Sequence, residues 1–235
     1  MSPGGRATDA VEAGAQPAGF WHRYAAWSLD WALLAAPLTL LLVPLLQRAY
    51  LQMLALTYLV RDWMSAHLDF AGALPSPLAL SSQLLNDPVL AATLQAGLNQ
   101  LVRLLSEAML IAFALSALYF VASEASPWQA TPGKRWAGLR VRAADGGVAG
   151  LRRALLRHLA GVLSWAMLNL GHAIAGWRRD HRALHDLLAG TVVLANGPMP
   201  HWVRAWLWLQ AALLAALLLA GFAWLGWMLL QIATL

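Results

Sequence analysis

The sequence predicts an all-α polytopic membrane protein with three to four transmembrane helices, a re-entrant helix as one path for its third apolar segment, and a small cytoplasmic β-hairpin. Three observations carry this. Hydrophobic residues make up 60% of the 235-residue chain and charged residues only 11%, where soluble domains carry about 25% charged residues. The mean hydropathy of +0.57 is too high for one water-soluble core to hide the apolar surface. The charges lie in short segments between apolar runs.

Those charges also limit the partners. Lys and Arg number 16 against 11 for Asp and Glu, a net charge of +5. Basic residues confined between apolar runs point to anionic lipid at the cytoplasmic face, not to nucleic acid. With no cysteine, disulfides, thiolate nucleophiles and cysteine metal sites are excluded. Thirteen tryptophans, several near the ends of apolar runs, suit anchoring at the two interfaces.

Residues 1–19 are rich in Ala, Gly and Pro without hydrophobic period and read as a disordered cytoplasmic tail. The apolar segment behind them is too long for a cleavable signal peptide. The first transmembrane helix is expected over 20–46, with an apolar stretch of about 23 residues from Tyr24 to Leu46. Pro37 and Pro44 lie inside it, so a bend is expected. Residues 47–101 read as an extracytoplasmic amphipathic insertion, either on the membrane surface or packed on the outer ends of the spans. Its helical pattern runs through "LQMLALTYLVRDWMSAHL" and breaks at "GALPSPLALSS" and "NDPV".

Residues 102–194 hold the second span, a basic segment, a third apolar segment and a His-Asp motif. The second span is expected over Val102–Val121, with Arg103 and Glu107 as a self-neutralising i,i+4 pair. In the basic segment Thr131 can cap a short helix whose first turn holds Pro132. "LRVRA" followed by "DGG" reads as a small hairpin or extended turn. Lys134, Arg135, Arg140, Arg142, Arg152, Arg153 and Arg157 all fall here, so the positive-inside rule makes this loop, and with it the N-terminus, cytoplasmic. The third apolar segment, Leu159–Trp177, contains Gly161, Asn169, Gly171 and His172. If it crosses, Arg178, Arg179 and Arg182 end up outside; a re-entrant or broken helix hairpin keeps both basic clusters inside. Residues 195–235 form the C-terminal transmembrane helix, on a side set by that choice.

Three stretches together resemble the RDD family of bacterial integral membrane proteins: "GFWHRYAAWSLDWALL", "TPGKRWAGLRVRAADGGVAGLRRALLRHL" and "RALHDLLAGTVVL". The resemblance implies a multi-pass protein of the bacterial inner membrane. The family takes its name from one arginine and two aspartates. The arginine and first aspartate map onto Arg23 and Asp30; the second maps onto Asp186, with Asp145 in the hairpin turn as the alternative. The activity implied is unresolved, with transport of ions or small solutes the usual suggestion.

Arg23 and Asp30 share a helix face, since seven residues advance a helix by about 700° and about 10.5 Å. That is too far for direct contact, and a lipid-facing aspartate is unfavourable, so each needs a partner elsewhere. Arg135 and Arg182 are the expected partners of Asp30, and Asp186 that of Arg23. The set Arg23, Asp30 and Asp186, supported by Lys134, Arg135, Arg182 and His185, is the candidate polar core. It reads either as a staple fixing helix packing or as a site whose Asp30 binds a proton or cation.

His181 and His185 stand at i,i+4 with Asp186 beside them, but spacing offers no third ligand and no metal is expected. "ADGG" lacks the lysine of a phosphate loop. No nucleophile elbow or paired-carboxylate site is recognisable, so neither an enzyme nor a cofactor is expected. Two functions remain: proton- or cation-linked transport, needing a homo-oligomer or partner because the spans are few and unrepeated, and an accessory role on another membrane complex.

Overall fold

The computed structural model describes residues 15–67, 76–167 and 170–233. Residues 1–14, the break expected at 72–75 and Asn169 lie outside the described residues. Two compact units are present, one formed by the chain up to Leu33 together with Ala117–Leu235, the other by Leu34–Ser116.

The first helix, α1, runs unbroken from Phe20 to His67 with Pro37 and Pro44 inside it. This extends the expected first span well into the 47–101 insertion. The reason is local: no glycine or proline stands between Gln47 and His67, and the apolar pattern never changes period. At 48 residues α1 is about 72 Å long, more than twice the hydrocarbon thickness of about 30 Å. Helix α2, Pro77–Asn86, starts with Ser76 as N-cap and proline in its first turn. Helix α3, Pro88–Ala125, starts where Asp87 accepts from the N–H groups of Val89 and Leu90, both at 3.0 Å. It contains the expected second span and begins fourteen residues before it (102 − 88). In the 34–116 unit, Trp63 donates to Asp87 at 2.9 Å, and Gly97 lets α3 approach Leu56 and Gln52 closely.

The unit that holds the candidate residues is built on a three-stranded antiparallel sheet, ordered β1-β3-β2. Strand β1 is Gln16–Pro17, β2 is Leu139–Ala143 and β3 is Thr191–Ala195. The end of the expected tail is therefore an edge strand, a place where a sheet tolerates proline. The expected hairpin or extended turn is present as a turn, with Ala143 N–H donating to Gly147 and Gly146 N–H to Ala143, both at 3.0 Å, and an Arg142↔Val148 bridge. The main partner of β2 is β3, paired along its whole length from Leu139↔Ala195 to Ala143↔Thr191. Alternation decides this. Leu139, Val141 and Ala143 share one face of β2 with Thr191, Val193 and Ala195 on β3, and all are buried. That face packs on Ala25 and Ala26 of α1, whose small side chains let helix and sheet approach closely.

Helix α4, Pro132–Trp136, precedes β2, and α5, Gly150–Ala166, α6, Leu170–Trp177, and α7, Leu184–Ala189, lead from β2 to β3. The third apolar segment is thus two helices interrupted around residue 167, and neither is a candidate span. Helix α7 stops at Gly190, whose φ of 63° gives the left-handed cap that turns the chain into β3. The last helix, α8, is His201–Ala233. Among the described residues α1, α3 and α8 are the helices long and apolar enough to cross a membrane. Helix α8 is joined to α1 by Trp206, which donates to Ser28 at 2.9 Å, and by Gln210, bonded to both Ser28 and Tyr24.

Candidate functional site

The fold brings the two aspartates to different environments. Asp30 is fully buried. Its Oδ1 accepts from the Tyr119 hydroxyl and the Gly133 N–H, both at 2.7 Å, and its Oδ2 from the Thr131 hydroxyl at 2.5 Å. The "TPGKR" segment exists to make this contact. Thr131 caps α4 and at the same time donates to Asp30, and Pro132 sets the first helical turn. A Cβ on Gly133 would lie 2.7 Å from Asp30 Oδ1 and closer still to the Ala26 carbonyl. Glycine is required there by space.

The expected arginine partners of Asp30 do not reach it. Arg135 lies over the Trp128 ring at 4.3 Å, and Arg182 donates to the carbonyls of Thr191 and Asp186 at 3.0 and 3.2 Å. Three neutral donors already satisfy the carboxylate, leaving no room for a guanidinium. The charge acting on Asp30 is that of Lys134, without an ion pair among the described residues.

Asp186 is the opposite case. It is fully buried and ion-paired with both Arg23 and Arg157. It also accepts from the Ala183 N–H at 3.0 Å, half of a capping box at the start of α7. Burial alone would raise its pKa, but Arg157 and Arg23 outweigh burial and hold the carboxyl well below the usual carboxylate range. Arg23 also donates to the His181 carbonyl at 2.6 Å. Asp145, the alternative second aspartate, is a surface residue that pairs with Arg153.

Arg157 extends the network. Its Nε lies 3.1 Å from Glu124, whose other oxygen takes Lys134 Nζ at 2.5 Å. Burial lowers the Arg157 pKa, and Asp186 and Glu124 more than restore it, so the group is held charged. Arg23, Lys134 and Arg157 thus face Asp30, Glu124 and Asp186, three cations against three carboxylates. The sequence reading leaves Glu124 and Arg157 out of this set, and Tyr119 out of the donors to Asp30. Glu124 had a signal, an acid at the end of an apolar run in "YFVASEASP". Tyr119 had none, because a tyrosine in a span normally reads as an interfacial anchor.

His185 is buried with its ring 4.8 Å from that of His172 and its Nε2 3.5 Å from Asp186. Neither histidine's Nδ1 has a hydrogen-bond partner among the described residues. Burial, reinforced by Arg157 and Arg23, lowers both pKa values, that of His172 to about 4. The i,i+4 premise for His181 fails, since it precedes α7 in a turn with φ of 51° and its Nδ1 lies 3.1 Å from the Ala175 carbonyl. His22, unremarked in the sequence, is buried and holds the Ala137 carbonyl at 2.7 Å.

Comparison with curated proteins and with solved structures returns no match. Comparison with protein families matches the RDD family over residues 17–190, a range that includes Arg23, Asp30, Glu124, Arg157 and Asp186. With well over half its length so matched, the chain is an integral membrane protein that belongs to the RDD family.

Proposed function

We propose that the protein carries out proton- or cation-linked transport of an ion or small solute, with Asp30 as the coupling acid. The observation behind this reading is the contrast between the two aspartates. Asp186 is fixed by two guanidinium groups. Asp30 is held in a membrane helix by hydroxyls and one backbone N–H, ligands that exchange for a proton or cation without breaking an ion pair. Arg23, Asp186, Arg157 and Glu124 then form the fixed scaffold beside it. In this reading the protein is not an enzyme and lies in the bacterial inner membrane. The sheet and basic loop face the cytoplasm, as the positive-inside rule favours.

The transporting form is an oligomer. In the most apolar windows of α1, α3 and α8, 17%, 17% and 0% of residues are buried within one chain. Such sparsely covered spans favour association with further copies. The same figure for α8 supports a second reading, an accessory subunit whose last helix docks on another membrane complex while the charges only hold the fold.

Proteoliposomes separate the two. Wild type should acidify or alkalinise the lumen when a cation gradient is imposed, Asp30→Asn should abolish that flux, and Tyr119→Phe should shift its pH dependence. A flux that survives Asp30→Asn removes Asp30 as the coupling acid. No flux, together with stable co-purification of a partner, favours the accessory role.

A further inference from the structure

A cleft of about 300 Å³ opens on the first unit, away from the Asp30 and Asp186 networks. Trp128, Arg135, Gly138, Arg140 and Asn196 line it, and no acidic residue does. Local structure explains how they meet. The chain leaves α3 at Ala125, and the Pro127–Trp128 turn places the indole beneath the Arg135 guanidinium at 4.3 Å. Gly138, with φ of 73°, turns α4 into β2, and its carbonyl accepts from the Asn196 N–H at 3.0 Å. That bond closes the far wall. Arg140 projects from the exposed face of β2.

The chemistry of this lining is one-sided. Neither Arg135 nor Arg140 belongs to an ion pair among the described residues, whereas Arg153 and Arg178 at other exposed positions pair with Asp145 and Asp180. Exposed arginines are ordinarily just solvated. Here two are gathered in one concavity without a counter-charge, and stacking on Trp128 restricts one of them. The Asn196 side chain, also exposed, adds an amide donor. Guanidinium forks beside an amide suit a tetrahedral oxyanion.

We propose that this cleft binds a phosphate group, with Arg135 and Arg140 as its clamp and Asn196 as a further donor. The phosphate of an anionic lipid headgroup and that of a soluble phosphate ester share this chemistry. Position supplies a reason for the lipid. The lining residues Pro127 and Asn196 adjoin the ends of two membrane-crossing helices, α3 at Ala125 and α8 at His201. Trp128 in its wall is 56% exposed, as tryptophans at headgroup level are. The inference does not depend on whether Asp30 couples transport.

The test uses the full-length protein in detergent, titrated calorimetrically with three probes: dihexanoyl phosphatidylglycerol, dihexanoyl phosphatidylcholine and glycerol 3-phosphate. Wild type should bind phosphatidylglycerol in preference to phosphatidylcholine. Arg135→Gln and Arg140→Gln should each weaken that binding about fivefold, the worth of one cation near an anionic surface. Arg178→Gln should leave it unchanged. Arg140→Lys keeps the charge but loses the fork, and should fall between wild type and Arg140→Gln. Binding of phosphatidylglycerol without glycerol 3-phosphate identifies a lipid site; binding of glycerol 3-phosphate with the same arginine dependence identifies a soluble ligand. Equal affinity in wild type and in both glutamine variants overturns the proposal. An equal loss in Arg178→Gln also overturns it, because the attraction would then belong to the whole basic surface.

Discussion

Arg23 and Asp186, 163 residues apart in the chain, form an ion pair whose carboxylate is completely buried. Arg157 reaches the same carboxylate from α5. Removing one member of such a set leaves the others charged, desolvated and unmatched. Asp186→Asn and Arg23→Met should each lower stability by about 3–5 kcal/mol. The double variant should lose less than the sum, since each substitution relieves part of the imbalance left by the other. Thermal unfolding in detergent measures all three; strict additivity would mean the pair is not coupled.

Two glycines should respond to alanine with opposite signs. Gly133 has Asp30 and the Ala26 carbonyl where a Cβ would go. Gly133→Ala should destabilise by about 1–3 kcal/mol, because neither α1 nor the capped turn of α4 can give way. Gly161, within α5, has nothing within 4 Å of its would-be Cβ. Gly161→Ala should stabilise by about 0.5–1 kcal/mol through helix propensity alone. The midpoints of thermal unfolding decide both.

Acid should weaken the fold before it reaches the carboxylates. His172 and His185 have pKa values lowered by burial and by Arg157, that of His172 from 6.5 to about 4. Between those values the unfolded chain binds more protons than the folded one. Their contribution is therefore fully present above pH 6.5 and is lost as pH falls towards about 4. Asp186, held far below its ordinary 3.8, contributes its loss only at lower pH. Unfolding followed from pH 7 to pH 4.5 should show falling stability, with a shallower fall in His172→Gln. An unchanged slope in that variant would show that His172 binds protons equally in the folded and unfolded states.

At the junction of α1 and α8, beside the Tyr24–Gln210 bond, one hydroxyl accepts twice. Ser28 accepts from Trp206 at 2.9 Å and from Gln210 at 3.1 Å. Hydrogen bonds between membrane helices contribute about 0.6 kcal/mol on average, so Ser28→Ala should cost about 1 kcal/mol. Ser28→Thr should retain most of it. A loss equal in both variants would point to packing at this position rather than to the hydroxyl.

Much of this arrangement was legible in the residues. A charge inside an apolar helix must find a protein partner, and that requirement, together with the resemblance that singles out Asp186, points from Arg23 to Asp186. For Asp30 the partners are not the arginines expected from charge. Hydroxyls and a backbone N–H satisfy a carboxylate equally well, and "TPGKR" carried both of the donors it supplies. Strand β3 was overlooked although "TVVL" is β-branched and bounded by Gly190 and the Asn196–Gly197 pair. It adjoins "RALHD", and the motif's continuity masks the strand. The partner of β2 was consequently sought nearby, in "DGG", when it lay beyond three helices. The true length of α1 was hidden by Gln47 and Arg48, polar residues that suggest an exit from the bilayer but do not stop a helix.

The central strand also dictates when the protein can be finished during synthesis. Strand β1 and α1 are made before β3, yet β1 pairs with Leu194 and Ala195, and Arg23 with Asp186. Until α7 and β3 have been made, Arg23 lacks its carboxylate and β1 lacks its neighbouring strand. Truncated nascent chains that stop before Thr191 should therefore leave α1 loosely held and open to quality-control proteases, and chains extended past Ala195 should lock it in place.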